Sequence, residues 1–164
     1  MVWVVYVAGA CYETNQPWAK AGYGVWFSEN KTGGLNCSGT VSGRQTLLEA
    51  ELHAAIQAIK IAIREGFDRL EIQTDSNQLL NGVRTLDDRL MRNNWKTSNG
   101  VDLAEWTSKE KWIELQNVIS QYPGGSSWRI SWRFGGYHTG QNEANKLAFE
   151  AAKRGYHVLQ SYNF

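Results

Sequence analysis

Two hydrophobic rhythms alternate along this chain. Met1 to Val7 (MVWVVYV) is a near-continuous run of β-branched and aromatic residues, the signature of a buried strand. Ala21–Glu29 and Leu35–Val41 flank the turn cluster Asn30-Lys31-Thr32-Gly33-Gly34, so the first third of the chain predicts an antiparallel three-stranded meander. The rhythm then changes. Leu48, Leu52, Ala55, Ile56, Ile59 and Ile63 recur at helical period, with Thr46 and Glu49 at capping-box spacing in front and Gly66 behind. Arg69–Thr74 reads as a short strand, and Asp75-Ser76 opens a second helix extending to about Leu90. Asn93–Leu103 is polar and predicts an exposed loop. Thr107 and Glu110 repeat the capping spacing before a helix reaching about Tyr122, which Pro123-Gly124-Gly125 stops. Trp128–Phe134 alternates as a strand. Gly135–Gln141 is a loop, and Asn142–Arg154 is a last helix closed by Gly155. The order β-β-β-α-β-α-α-β-α specifies an α/β fold, a mixed sheet with helices packed on it.

The 164 residues fit a single domain, 1–164, with one core. A formal net charge of +1 gives no global basic field, so a nucleic-acid partner would need a local patch. Cys11 and Cys37 are too few for a disulfide framework, and free thiols in a reducing, intracellular compartment are expected. The apolar first ten residues lack a basic flank and read as a strand rather than a signal peptide. No stretch approaches the ~20 apolar residues of a membrane helix, and no membrane partner is expected.

Six stretches, in this order, resemble the type 1 ribonuclease H family over nearly the whole chain: VVYVAGAC, AGYGVWF, SGRQT with AELHA, QTDSNQLLNG, RNNWKTSNG and GYHTGQNEANKLA. The resemblance implies a mixed five-stranded sheet, three antiparallel strands followed by parallel ones, with helices on both faces. It also implies cleavage of the RNA strand of RNA–DNA hybrids by two Mg²⁺ ions about 4 Å apart, held by four carboxylates. Two of those positions keep their acid, Glu51 and Asp75. The other two hold Ala8 and Asn145. A methyl group ligates nothing and an amide oxygen is neutral, so the ligand charge falls from about −4 to about −2. The expectation is no resident cofactor, with at most one weakly held ion between Glu51 and Asp75. In the alternative, Glu51 is an ordinary polar helix residue and Asp75 a helix cap. Among candidates for replacing the lost ligands, Glu49 and Glu143 lie two positions from site residues on other helix faces, and Glu13 lies on a loop.

The substrate positions implied by the resemblance have changed as well. The pair that would meet the RNA 2′-hydroxyls is Leu47-Leu48, and leucine cannot hydrogen-bond a hydroxyl. Leu48 also fits the apolar helix stripe. The tryptophans of the DNA channel match Leu86 and Leu90, with Asp87 and Asp88 adding negative charge nearby and Met91 replacing a basic residue. The phosphate pocket persists as Arg44, Thr46 and Asn93, with Arg92 and Lys96 as further cations, although Thr46 equally reads as a helix cap. His138 matches the histidine associated with product release and, without metals, reads as a loop residue. The leading reading is a pseudoenzyme scaffold with a protein partner on an apolar patch formed by Leu47, Leu86 and Leu90. The alternatives are a non-cleaving nucleic-acid or hybrid binder of weakened affinity, and an active hybrid ribonuclease, including an active parent inactivated by laboratory substitution.

Overall fold

The computed structural model describes residues 1–27, 34–86, 108–136 and 138–161. The elements are β1 (Val2–Tyr12), β2 (Lys20–Phe27), β3 (Cys37–Thr40), α1 (Leu47–Glu65), β4 (Arg69–Thr74), α2 (Asn77–Thr85), α3 (Lys109–Ser120), the short α4 (Ser126–Arg129), β5 (Ile130–Phe134) and α5 (Thr139–Ser161). They build one five-stranded sheet in the order β3-β2-β1-β4-β5. β1 pairs antiparallel with β2 and parallel with β4. β2–β3 is antiparallel and β4–β5 parallel. This is the mixed α/β ribonuclease H-like architecture implied by the resemblance.

Alternation along β1 divides the core between the two sheet faces. Val5 and Val7 join Val25 and Phe27 beneath α1 and α3, against Leu52, Ile56, Ile59, Trp112 and Leu115. Tyr6 and Ala8 point to the opposite face and meet Ala144 and Ala148 of α5. The α5 face is narrow because β2 carries glycine there. A Cβ at Gly24 would collide with the Ala144 carbonyl, and one at Gly22 would lie 2.5 Å from the Ala148 carbonyl oxygen.

Helix α1 begins and ends as its sequence indicates. Thr46 accepts a hydrogen bond from the Glu49 amide at 3.2 Å, and Gly66 closes the helix at φ 73°, where a side chain would be strained. Other boundaries differ from expectation. β1 runs on to Tyr12 because its ladder with β2 continues to the Tyr12–Lys20 pair. Trp128 lies in α4 and not in a strand. Arg129 stacks over its ring at 4.2 Å and donates to the Asp68 carbonyl at 3.0 Å, contacts that hold the helical turn. Gly155 does not end the last helix, which continues to Ser161. A Cβ on Gly155 would lie 2.8 Å from Thr40 Cγ2, so this glycine serves close packing of α5 on β3. Ser108 precedes α3 at φ 74° without a side-chain cap, and Thr107 lies outside the described residues, as does most of the turn cluster after β2. Among the described residues, no helix is long and apolar enough to cross a membrane. Cys11 and Cys37 are free thiols.

Candidate functional site: an altered carboxylate centre

The later part of β1, the end of β4 and the first turns of α1 and α2 border one cleft of about 400 Å³. Gly9, Leu47, Glu51, Asp75, Ser76, Asn77 and Gln78 line it. Of the four positions considered in the sequence, Glu51 and Asp75 line this cleft, Asn145 reaches it through Asp75, and Ala8 turns to the α5 face of the sheet. Gly9 makes the approach possible, since a Cβ there would lie 2.7 Å from the Glu51 amide nitrogen and 2.8 Å from its Cγ. Glu51 is drawn almost wholly out of solvent, at 4% exposure. Its side chain therefore faces the cleft and the protein rather than open solvent. Burial pushes its carboxyl up to about 7. A hydrogen bond with the Ser76 side chain opposes that rise, and the charge of Asp75 adds to it.

Asp75 follows β4 directly and is exposed. It does not cap α2. That role belongs to Ser76, whose hydroxyl accepts from the Leu79 amide at 3.0 Å. The side-chain amide of Asn145 donates to Asp75 Oδ2 at 3.1 Å, linking α5 to the end of β4. Ala8 is 1% exposed and packs with Tyr6, Ala144 and Ala148.

This donor set does not fit a two-metal centre. The Asn145 NH₂ group presents protons rather than lone pairs to Asp75 and so occupies one carboxylate oxygen. Ala8 contributes no donor. Among the described residues no group of three or more His, Cys, Asp or Glu side chains converges as a cation site. The neighbouring acids do not replace what is missing. Glu143 pairs with Lys146 at 3.6 Å, Glu49 faces a different cleft beside Arg44, and Glu13 sits in the turn after β1 at φ 59°.

His138 has a definite structural task. Its Nδ1 accepts from the Gly140 amide at 3.0 Å, capping α5, and its ring stacks on Tyr6 with centroids 4.8 Å apart. An accepting Nδ1 places the ring proton of the neutral imidazole on Nε2. Gln141, fully buried, donates to the Val7 carbonyl at 3.0 Å and ties α5 to β1 beside the altered centre. No local sequence signal marks this residue. His53 was also not anticipated. It flanks the α1 stripe, packs on Tyr23 and lies 2.9 Å from Lys111 Nζ across the α1–α3 contact. Burial, reinforced by the Lys111 charge, lowers its pKa to about 4, against a smaller opposing pull from Glu114.

The substrate positions divide. Leu47 is exposed and lines the cleft, whereas Leu48 is buried in the core. Leu86 is half-buried against the α1-side core because it closes α2, its amide donating to the Gly82 and Val83 carbonyls at 3.1 and 3.2 Å. The expected patch of three exposed leucines therefore does not include Leu86 as a free side chain, and Leu90 lies outside the described residues. Arg44 is exposed and borders a second cleft of about 640 Å³, which also contains Lys109 and Lys111 and the acids Glu49, Glu110 and Glu114. Thr46 is committed to its helix cap. Asn93 and Lys96, together with Asp87, Asp88, Met91 and Arg92, lie outside the described residues.

Comparison with known proteins agrees with this geometry. The sequence model of the RNase H family matches residues 2–157. The chain is 33% identical over 154 residues to Ribonuclease H1 of Rattus norvegicus and 32% identical to that of Homo sapiens, covering 92% of this chain and 50% of each relative. It thus spans about half the length of these mammalian proteins. Among solved structures, the foamy viral protease-reverse transcriptase in complex with RNA/DNA hybrid superposes with a TM-score of 0.71 at 20% identity, over 93% of this chain and 20% of that one. LC11-RNase H1 in complex with RNA/DNA hybrid superposes at 0.60 and 19% identity, over 93% and 97% of the two chains. From its family match, its sheet order and the convergence of its motifs on one cleft, this chain belongs to the type 1 ribonuclease H family.

Proposed function

We propose that this chain is a ribonuclease H-family pseudoenzyme, which keeps the fold as a binding scaffold and has lost two-metal hydrolysis. The observation that carries the reading is the Asn145–Asp75 hydrogen bond at 3.1 Å beside a buried Ala8. An amide proton and a methyl group stand where two anionic ligands would be needed, and two divalent cations at ~4 Å separation repel each other without such charge. Burial pushes the Glu51 carboxyl up to about 7, so a cation at this position would have to displace a proton near neutrality. The exposed Leu47 gives the cleft mouth an apolar contact in place of a hydroxyl reader, which favours a protein partner over an RNA strand.

Purified protein incubated with an RNA–DNA hybrid in magnesium or in manganese should leave the RNA strand intact. Cleavage that disappears in Asp75→Ala would refute the proposal.

A second reading, a non-cleaving nucleic-acid binder, is supported by Arg44. It is exposed and has no ion-pair partner among the described residues. Two fold neighbours were solved with RNA/DNA hybrid. In that reading, hybrid binding weakens steeply as salt rises and is reduced by Arg44→Ala. Absence of binding at low salt removes it.

A further inference from the structure

The face of the sheet opposite α1 carries a feature that the altered centre does not use. Tyr12 and Lys20 are direct partners across β1 and β2, so their side chains lie together on the face covered by α5. Beside this pair is an open notch of about 470 Å³, lined by Lys20, Gly39, Thr40, Val41, Ala151, Arg154 and Gly155. Among the described residues no acid lines it. Lys20 and Arg154 form no ion pair with any described residue. Glu150, on the same helix, and Glu13, in the turn after Tyr12, lie outside the lining. Tyr12 meets Tyr156 at 4.6 Å and Phe149 at 6.3 Å between ring centroids, and Phe149 is 51% exposed.

Two cations without an ion pair among the described residues thus stand next to an aromatic surface that is partly open to solvent. A phosphodiester has the charge and oxygen geometry for the notch, with the Arg154 fork and the Thr40 hydroxyl as donors. An unpaired base has the flat apolar face that an exposed Phe149 can stack on. A duplex keeps its bases stacked within itself and cannot use the aromatic half. We propose that this surface is a binding site for single-stranded nucleic acid, separate from the altered centre and independent of any metal. Gly155 allows it to exist, because a side chain there would press on Thr40.

The test is fluorescence anisotropy with a labelled oligothymidylate of about 12 nucleotides and an RNA–DNA hybrid of equal length, at low salt. Anionic phospholipid vesicles serve as a competing ligand. The single strand is expected to bind more tightly than the hybrid. Lys20→Glu with Arg154→Glu should weaken it by about 30-fold or more and flatten its salt dependence. Phe149→Ala should weaken it about fivefold or more while leaving the salt slope unchanged. Unchanged affinity in the charge-reversed variant, with its circular dichroism intact, overturns the proposal. Equal loss on Arg44→Ala, which would place binding in the family groove, does the same. So does tighter binding to vesicles than to the oligonucleotide.

Discussion

At the scale of single residues, Glu51 and Asn145 concentrate the consequences of the sequence changes. A buried carboxyl whose pKa rises from 4.5 to about 7 binds its proton more tightly folded than unfolded. Its contribution to stability is therefore fully present below pH 4.5 and is lost as pH climbs through 7. Glu51→Gln, which mimics the protonated form at every pH, should stabilise the protein by about 1–3 kcal/mol above pH 7 and change little below pH 4.5. Thermal unfolding across that range checks this, with an expected gain of roughly 2–4 °C per kcal/mol for a chain of this size. His53 acts with the opposite sign. Its pKa is lowered from 6.5 to about 4, so its contribution is present above 6.5 and lost as pH falls through that window. Wild-type stability should therefore peak within the mildly acidic range and decline on both sides. Reversion of the centre should also prove unfavourable. Asp at position 8 would enter a pocket made by Tyr6, Ala144 and Ala148, and Asp at 145 would face Asp75 without the amide bridge. We expect Ala8→Asp with Asn145→Asp to lose about 2–4 kcal/mol in denaturant titrations without gaining hybrid cleavage. Full activity with unchanged stability would instead mark an active parent that had been substituted at these two positions.

At the scale of elements, the seating of α5 depends on the glycines beneath it. Gly22→Ala or Gly24→Ala would push a methyl into the Ala148 or Ala144 backbone, which cannot yield as a side-chain tip can. Each should cost about 1–3 kcal/mol or more, and each should broaden amide-exchange protection along α5 before it affects α1. The same contacts explain which parts of the fold were legible in the sequence. The start of α1 at Thr46 and its end at Gly66 were readable because caps and a 3.6-residue stripe are local signals. The end of α5 was not readable, because the value of Gly155 lies in its contact with Thr40, more than a hundred residues earlier in the chain. Trp128 was misassigned to a strand for a similar reason. Its place in α4 depends on Arg129 reaching the Asp68 carbonyl, a contact between segments 61 residues apart.

At the scale of the molecule, Glu51 and Asp75 were legible because each sits in a local motif, and the pairing of β4 with β1 sets them on one cleft. The exposed Asn145–Asp75 hydrogen bond joins residues 70 positions apart in sequence, a contact that no motif announces. How far Leu86 could contribute to a leucine patch was not legible in the sequence, because its half-buried position follows from its place at the end of α2 against the core. In the function proposed above, the ribonuclease H-like architecture surrounds a centre unable to hold a pair of divalent cations. Anomalous diffraction from crystals grown in excess manganese tests it most directly. No pair of manganese peaks is expected between the end of β1 and Asp75. Two peaks about 4 Å apart, bound by Glu51 and Asp75 with Asn145 turned away, would contradict it.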